Sequence, residues 1–309
     1  MIDRDDIERA RGVIRGHLHR TPLLSCRTLG PRAHLKAELF QKTGSFKPRG
    51  MLNCVAALSA EEKARGIVTW SAGNAAQGAA FAAATEGIPC QVFMWATANP
   101  LKVAATRGYG AEVDLAATTI PEAHERLLAF VEESGRTFVD PFDDPILQAG
   151  HGTLGLEVVE DLPELATIVV PVGGGGLIAG VASAVDCRVV GVEPERAPSL
   201  TAALEAGAPV RIEPSSMADG LNAPFTGAGT LEICREVVDE VVLVSEEEIA
   251  EGMRFLYTRA KLACEPAGAA AVAALLAGKV DVEAGSPLVA VVSGGNADPK
   301  VVAGILASR

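Results

Sequence analysis

Short apolar runs that stop at glycine, proline or a capping residue alternate along this chain with stretches of helical period, and that alternation restricts it to few folds. The runs fall at residues 67–70, 90–95, 111–115, 167–172, 188–192, 240–244 and 288–292. Helical patterns between them include residues 75–86, 121–133, 177–185, 246–262 and 266–276. Runs of that length suit buried strands, and a helix between strands is what a parallel pair needs to cross over. The pattern predicts an α/β protein with mostly parallel sheets and helices on both faces. Its 309 residues are enough for two domains, although no repeat, low-complexity tract or long linker marks a boundary.

Ligands of open parallel sheets collect at the carboxyl ends of the strands, and three unusual segments sit there. Ser71, Ala72, Gly73 and Asn74 follow the run at 67–70; Gly173, Gly174, Gly175 and Gly176 follow 167–172; Ser293 with Gly294 and Gly295 follows 288–292. Four consecutive glycines cost too much chain entropy for a turn alone, and lead amides free of Cβ atoms into a helix start, which suits a phosphate. Gly174, Gly176 and Ala179 also fit a dinucleotide fingerprint, with Glu193 ending the next strand as a ribose-binding acid would. Such a loop more often opens the first βα unit of its domain. Asn74 lies near an N-cap, where amides at a helix start favour an anion. Ser293, read alone, is a turn former.

A fourth segment, QKTGSFKPRG at residues 41–50, sets Lys47 before a helical pattern of Met51, Leu52, Val55 and Leu58. Pro48 in a first turn sacrifices no intrahelical hydrogen bond. A desolvated lysine at a positive helix end loses its proton more readily, and the free amine can form a Schiff base with a carbonyl. The plain alternative is a solvated surface lysine.

Bulk properties exclude several classes. The net charge is −12 and the 27 Lys and Arg residues form no runs, so no nucleic-acid partner is expected. The opening MIDRDDIERARG is acidic and lacks the apolar core of a signal peptide; the richest apolar stretch, 167–185, is broken by glycines and a proline. Neither a leader nor a membrane span is expected. Six scattered cysteines read as structural thiols of a reducing, cytoplasmic compartment. The five histidines form no cluster, and His151 reads as part of an Ala-Gly-His-Gly-Thr turn.

QKTGSFKPRG, WSAGNAAQG (70–78), PVGGGGLIAG (171–180) and VVSGGN (291–296), in that order, resemble the fold type II pyridoxal-phosphate enzymes, and within them the serine/threonine dehydratases, or threonine ammonia-lyases. The likeness runs over nearly the whole chain. It takes in LKAELF before the lysine segment, ANPLKVAATRGYGAEV from Ala98, PFDDPILQAGHGTLGLE from Pro141, ADGL at 218–221 and KLACEPAGAAA from Lys261. It implies two open, mostly parallel-sheet domains of the tryptophan synthase β-like kind: a large cofactor-binding domain from residues 1–44 plus 140–309, and an inserted substrate-loop domain, 45–139. It implies pyridoxal 5'-phosphate on Lys47, bordered by Phe46, with Gly173 to Gly176 on its phosphate, the Asn74 amide on its phenolic oxygen and Ser293 on its ring nitrogen. The substrate carboxylate would lie on Ser71, Ala72, Gly73 and Asn74. A homo-oligomer, dimer or tetramer, is also implied.

Two departures are visible. Ala75 stands where members commonly have histidine. Some relatives hold a divalent ion near positions matching Glu193 and Ala197 with an aspartate two places on, where this chain has Ser199; one oxygen ligand is missing and no metal is implied.

The implied reaction is β-elimination of L-threonine or L-serine to a 2-oxo acid and ammonia. Lys47 removes the Cα proton, and the cofactor phosphate is the expected proton donor to the leaving hydroxide, since no histidine or acid falls inside the four motifs. A serine on the ring nitrogen leaves it a weaker electron sink, which fits elimination over transamination. The chain's last motif lies close to Arg309, so no appended regulatory domain is expected. Alternatives are another β-hydroxy amino acid such as 3-hydroxyaspartate, a β-replacement enzyme, a serine racemase, an NAD(P)-binding oxidoreductase and a non-catalytic amino-acid-binding protein. A racemase needs a second base, which related racemases supply as a serine where this chain has Ala72.

Overall fold

The computed structural model describes residues 2–308. Ten strands form two sheets: β1 (Leu23–Ser25), β2 (Ala33–Ala37), β3 (Ile67–Trp70), β4 (Cys90–Trp95), β5 (Glu112–Ala117), β6 (Thr137–Phe138), β7 (Thr167–Pro171), β8 (Arg188–Pro194), β9 (Glu240–Val244) and β10 (Leu288–Val292). The larger sheet has the order β1-β2-β10-β7-β8-β9 and the smaller β5-β4-β3-β6. Every pair is parallel except β1 with β2. All five residues of β7 and of β10 are buried, as continuous apolar runs in a doubly covered sheet should be.

Helices cover both faces. Against the larger sheet, Glu246–Phe255 and Pro266–Leu276 build one core with Val169, Val190 and Ala290, while Arg4–Ile14, Pro145–Asp161 and Gly176–Ala182 build another with Ile168, Val170 and Val291. Against the smaller sheet, Pro48–Ala57 and Asn74–Glu86 pack on one side and Ile120–Ser134 on the other. The predicted helix over 246–262 ends earlier than expected. It passes at Leu256 into a π turn and stops at Lys261, whose φ of 61° leaves the helical region.

His151 is not in a turn. It lies inside the helix Pro145–Asp161, fully buried. The glycines around it suggested a turn, but they serve close packing: a Cβ on Gly150 would sit 2.4 Å from the Arg49 carbonyl oxygen, and one on Gly152 2.7 Å from that of Gly180. This helix therefore touches both the helix after Lys47 and the helix after the glycine loop, backbone against backbone.

Candidate active site

Lys47 precedes the helix Pro48–Ala57 with backbone angles already helical, φ −53° and ψ −36°. The turn before it is stitched to the end of β10. Ser45 bridges Gly294, Phe46 N–H donates to the Ser293 carbonyl (3.1 Å) and Gly295 N–H to that of Gly44 (2.9 Å). Asn296 Nδ2 donates to the Thr43 carbonyl (2.7 Å) and to Asn74 Oδ1 (2.8 Å). The segments carrying Lys47, Asn74 and Ser293, widely separated in sequence, thus meet at the carboxyl ends of β3 and β10.

The Lys47 amine donates to the Pro141 carbonyl at 2.8 Å and lies 5.1 Å from the centre of the Phe46 ring. No carboxylate pairs with it among the described residues. Desolvation lowers its pKa to about 8 against the pull of Asp140. His151 sits edge-on to Phe46, ring centres 4.7 Å apart, with neither ring nitrogen partnered. Burial, then Lys47 and Arg49, hold its pKa well below the usual histidine value, so it is neutral.

Arg49 belongs to a fully buried charge cluster. Its guanidinium forks onto Glu38 (Nε to Oε2 and Nη2 to Oε1, both 2.8 Å) and onto Glu157 (Nη1 to Oε1 2.8 Å, Nη2 to Oε2 2.9 Å). Lys36 of β2 completes it, donating to Glu157 Oε2 at 2.6 Å and to the Thr21 carbonyl at 2.8 Å. Burial works against the Glu157 carboxylate, but Arg49 and Lys36 outweigh it and hold its pKa low. Two positive and two negative groups balance, and the cluster fixes the helix of Lys47 to β2 and to Pro145–Asp161.

Gly173 to Gly176 join β7 to the helix Gly176–Ala182, and none of their four backbone N–H groups donates to a protein acceptor among the described residues. Free amides at a helix start are what a phosphate group requires. A Cβ on Gly174 would meet Phe142 Cγ at 2.4 Å, and one on Gly175, where φ is +87°, Thr230 Cγ2 at 2.5 Å. The glycines are demanded by packing as well as by any anion, so an aspartate at 175 would disturb the fold before it tested phosphate repulsion.

Ser71, Ala72, Gly73 and Asn74 follow β3 as expected, but their hydrogen bonds differ from simple capping. The Ser71 hydroxyl accepts from Gly73 N–H at 3.1 Å, and Gly73, the N-cap, offers no side chain. Asn74 caps nothing: its Nδ2 donates to Glu265 Oε1 at 2.5 Å. Ser293 is buried beside this network. Glu265 escaped the sequence reading because a residue before Pro266 and an apolar helix looks like a helix entrance. Glutamate is a poor N-cap, however, and Glu265 makes no capping bond. That mismatch was the available signal.

Glu193 is not free for a ribose. Its carboxylate accepts from Leu200 N–H (2.7 Å), Thr201 N–H (2.9 Å) and the Thr201 hydroxyl (2.7 Å), with the Ser199 hydroxyl at 3.4 Å, so it caps the helix Ser199–Ala206. This argues against the dinucleotide alternative.

The pyridoxal-phosphate dependent enzyme family matches residues 14–294. The chain belongs to this family. L-threonine ammonia-lyase of Thermotoga maritima is 45% identical, over 98% of this chain and 77% of that protein. Among solved structures, the threonine deaminase of T.th. is 40% identical with a TM-score of 0.89, covering 96% of this chain and 99% of that one. Maize serine racemase is 34% identical with a TM-score of 0.93, covering 98% and 96%. The family's cofactor suits what this pyridoxal-phosphate dependent enzyme offers: a half-buried, desolvated amine at Lys47 with no salt-bridge partner among the described residues, and unpartnered amides at Gly173 to Gly176.

Proposed function

We propose that this enzyme eliminates water from L-threonine and L-serine, and that the released enamine takes up water again and loses ammonia, giving 2-oxobutanoate and pyruvate. The observation that carries the reading is the Lys47 amine: desolvated, free of any carboxylate and held on a turn pinned to β10. The likeness to threonine ammonia-lyase and threonine deaminase supports it. Pyridoxal phosphate, when bound, supplies an electron sink for charge developing at the substrate Cα. Lys47 Nζ would hold the cofactor and would take the substrate Cα proton. The amides of Gly173 to Gly176 would take the phosphate, Phe46, Asn74 and Ser293 would border the cofactor, and the loop from Ser71 to Asn74 would take the substrate carboxylate. We divide the chain into a cofactor-binding part, residues 1–44 plus 140–309, and a substrate-loop part, 45–139, a reading supported by the small sheet lying wholly within the second span.

Six cysteines without a disulfide support a reducing, cytoplasmic setting. No helix of the described residues is long and apolar enough to cross a membrane.

The purified protein is expected to be yellow, and borohydride reduction to fix the cofactor to Lys47. It should release 2-oxo acid from L-threonine or L-serine within a panel of β-hydroxy amino acids that includes 3-hydroxyaspartate. Peptide mapping that found the label on another lysine would overturn the site, and 2-oxo acid from none of the panel would overturn the reaction.

The fold shared with maize serine racemase favours one second reading, racemisation, and Ala72 separates the two. A methyl group cannot return a proton to the second face of Cα, so L-serine should be consumed with little D-serine appearing. Ala72→Ser supplies a donor, and a placed donor contributes on the order of 10²-fold in rate, so measurable racemisation is expected in that variant. Chiral chromatography decides: wild-type protein forming D-serine as fast as pyruvate makes the racemase reading the right one.

A further inference from the structure

Among the described residues, Glu265 is the one acid in contact with both elements assigned to the cofactor ring. Its Oε1 accepts from Asn74 Nδ2 at 2.5 Å, and its backbone N–H donates to the Gly294 carbonyl at 3.1 Å, directly after Ser293. Gly294 leaves room for it, since a Cβ there would lie 2.3 Å from Glu265 Oε1. Glu265 is 1% exposed, and its second oxygen, Oε2, has no hydrogen-bond partner among the described residues. A buried carboxyl with one oxygen spent and the other unsatisfied costs free energy, more so when ionised. Its capping role is nil, so the position asks for another explanation.

We propose that Glu265 is a positioning residue for Asn74, and that its gain and loss of a proton sets how firmly the Asn74 amide is held toward the cleft and so governs the pH dependence of the reaction. Asn74 is gripped at both ends, Oδ1 by Asn296 Nδ2 and Nδ2 by Glu265, which leaves one N–H of the amide to point at an acceptor in the site. An ionised carboxylate is a far stronger acceptor for that grip than a neutral carboxyl. Burial raises the Glu265 pKa to about 7, with Lys102 pulling it down, Asp219 pushing it up and the Asn74 bond pulling it down. Those two charges arrive from the helix Pro100–Gly108 and the turn Asp219–Leu221, and they pair with each other through Lys102 Nζ and Asp219 Oδ2 at 2.5 Å. The charged form prevails above that pH and the neutral form below it. Activity should therefore fall as pH drops through the neutral range.

This inference rests on the proposed function, and the experiment keeps the two apart. Holoenzyme is prepared as wild type, Glu265→Gln and Asn74→Ala, and kcat for 2-oxo acid release and the visible spectrum are followed across the neutral range. Wild type should show an acid limb centred near pH 7. Glu265→Gln keeps an acceptor for Asn74 but cannot titrate, so its profile should lose the Glu265 proton near pH 7 and keep only the shallower fall set by the Lys47 amine, with a plateau about fivefold below wild type, as a neutral acceptor replaces a charged one. Asn74→Ala should lose the same part of the limb, because Glu265 acts through it. An unchanged limb in either variant overturns the proposal. Should the variants lose cofactor, the infrared carbonyl band of a protonated buried carboxyl decides in wild type: it should vanish in step with the spectral change near neutrality, and disappearance only in the ordinary carboxylate range overturns the proposal. A yellow, active wild type with a flat profile sinks this inference alone, whereas a colourless protein without 2-oxo acid release sinks the function.

Discussion

Lys47→Ala should lower 2-oxo acid release by on the order of 10⁴-fold or more, the scale seen when a group that both binds and reacts is removed from a catalytic unit. The same variant should carry no borohydride-fixed cofactor at position 47. Its fold should survive, because the amine makes one hydrogen bond, to the Pro141 carbonyl, and sits desolvated without a counter-charge. Removing an ammonium whose pKa burial has depressed relieves a cost of folding. Circular dichroism and thermal melting would establish that the variant is folded, and steady-state assay would give the loss. Retention of a hundredth of wild-type activity by a folded, label-free variant would exclude Lys47 as the proton acceptor.

Arg49→Met, two residues away, should behave in the opposite manner and strike stability first. The substitution leaves Glu38 and Glu157 facing each other across the cluster with Lys36 as their sole cation. Breaking a buried pair from one side costs about 3–5 kcal/mol, a large share of the ~5–15 kcal/mol that holds a typical domain folded. Arg49→Lys should rescue little, because an ammonium cannot fork onto two carboxylates at once. Denaturant unfolding measures both variants, and a loss under ~1 kcal/mol for Arg49→Met would show that water or rearrangement compensates the cluster. The pairing of these results would separate two roles lying within one turn of chain, chemistry at residue 47 and anchoring at residue 49.

Much of the fold was legible because its longer parallel strands, the edge strand β9 included, are largely apolar runs. β3, β4, β9 and β10 fall where the sequence places them, and the glycine loop and the Ser71 to Asn74 loop follow their strands as predicted. β2 was not legible. Its buried Lys36 breaks the apolar pattern, and the carboxylate that neutralises it lies on a helix more than a hundred residues later in the chain. β1 and β6 are three and two residues long, shorter than any pattern can register. His151 was misread for a related reason: glycine on both sides signals a turn in isolation, and only the approach of the neighbouring helices shows it to be a packing device. At the site, local motifs announced Lys47 and the glycine loop. Asn296 closes the VVSGGN motif and Glu265 stands at a poor N-cap, but both act through partners distant in sequence, so local pattern did not give their roles.

The position of β10 bears on how this protein is made. It is the last strand of the described chain, yet it lies between β2 and β7 in the larger sheet. Until residues 288–292 leave the ribosome, β1 and β2 are separated from β7, β8 and β9 by a gap that no earlier strand fills. The small sheet, complete by residue 138, faces no such delay. Synthesis thus completes the strands of the smaller sheet first and keeps the edges of β2 and β7 unpaired until residues 288–292 are made, when β10 closes the sheet and Ser293 arrives beside Lys47 in the same step.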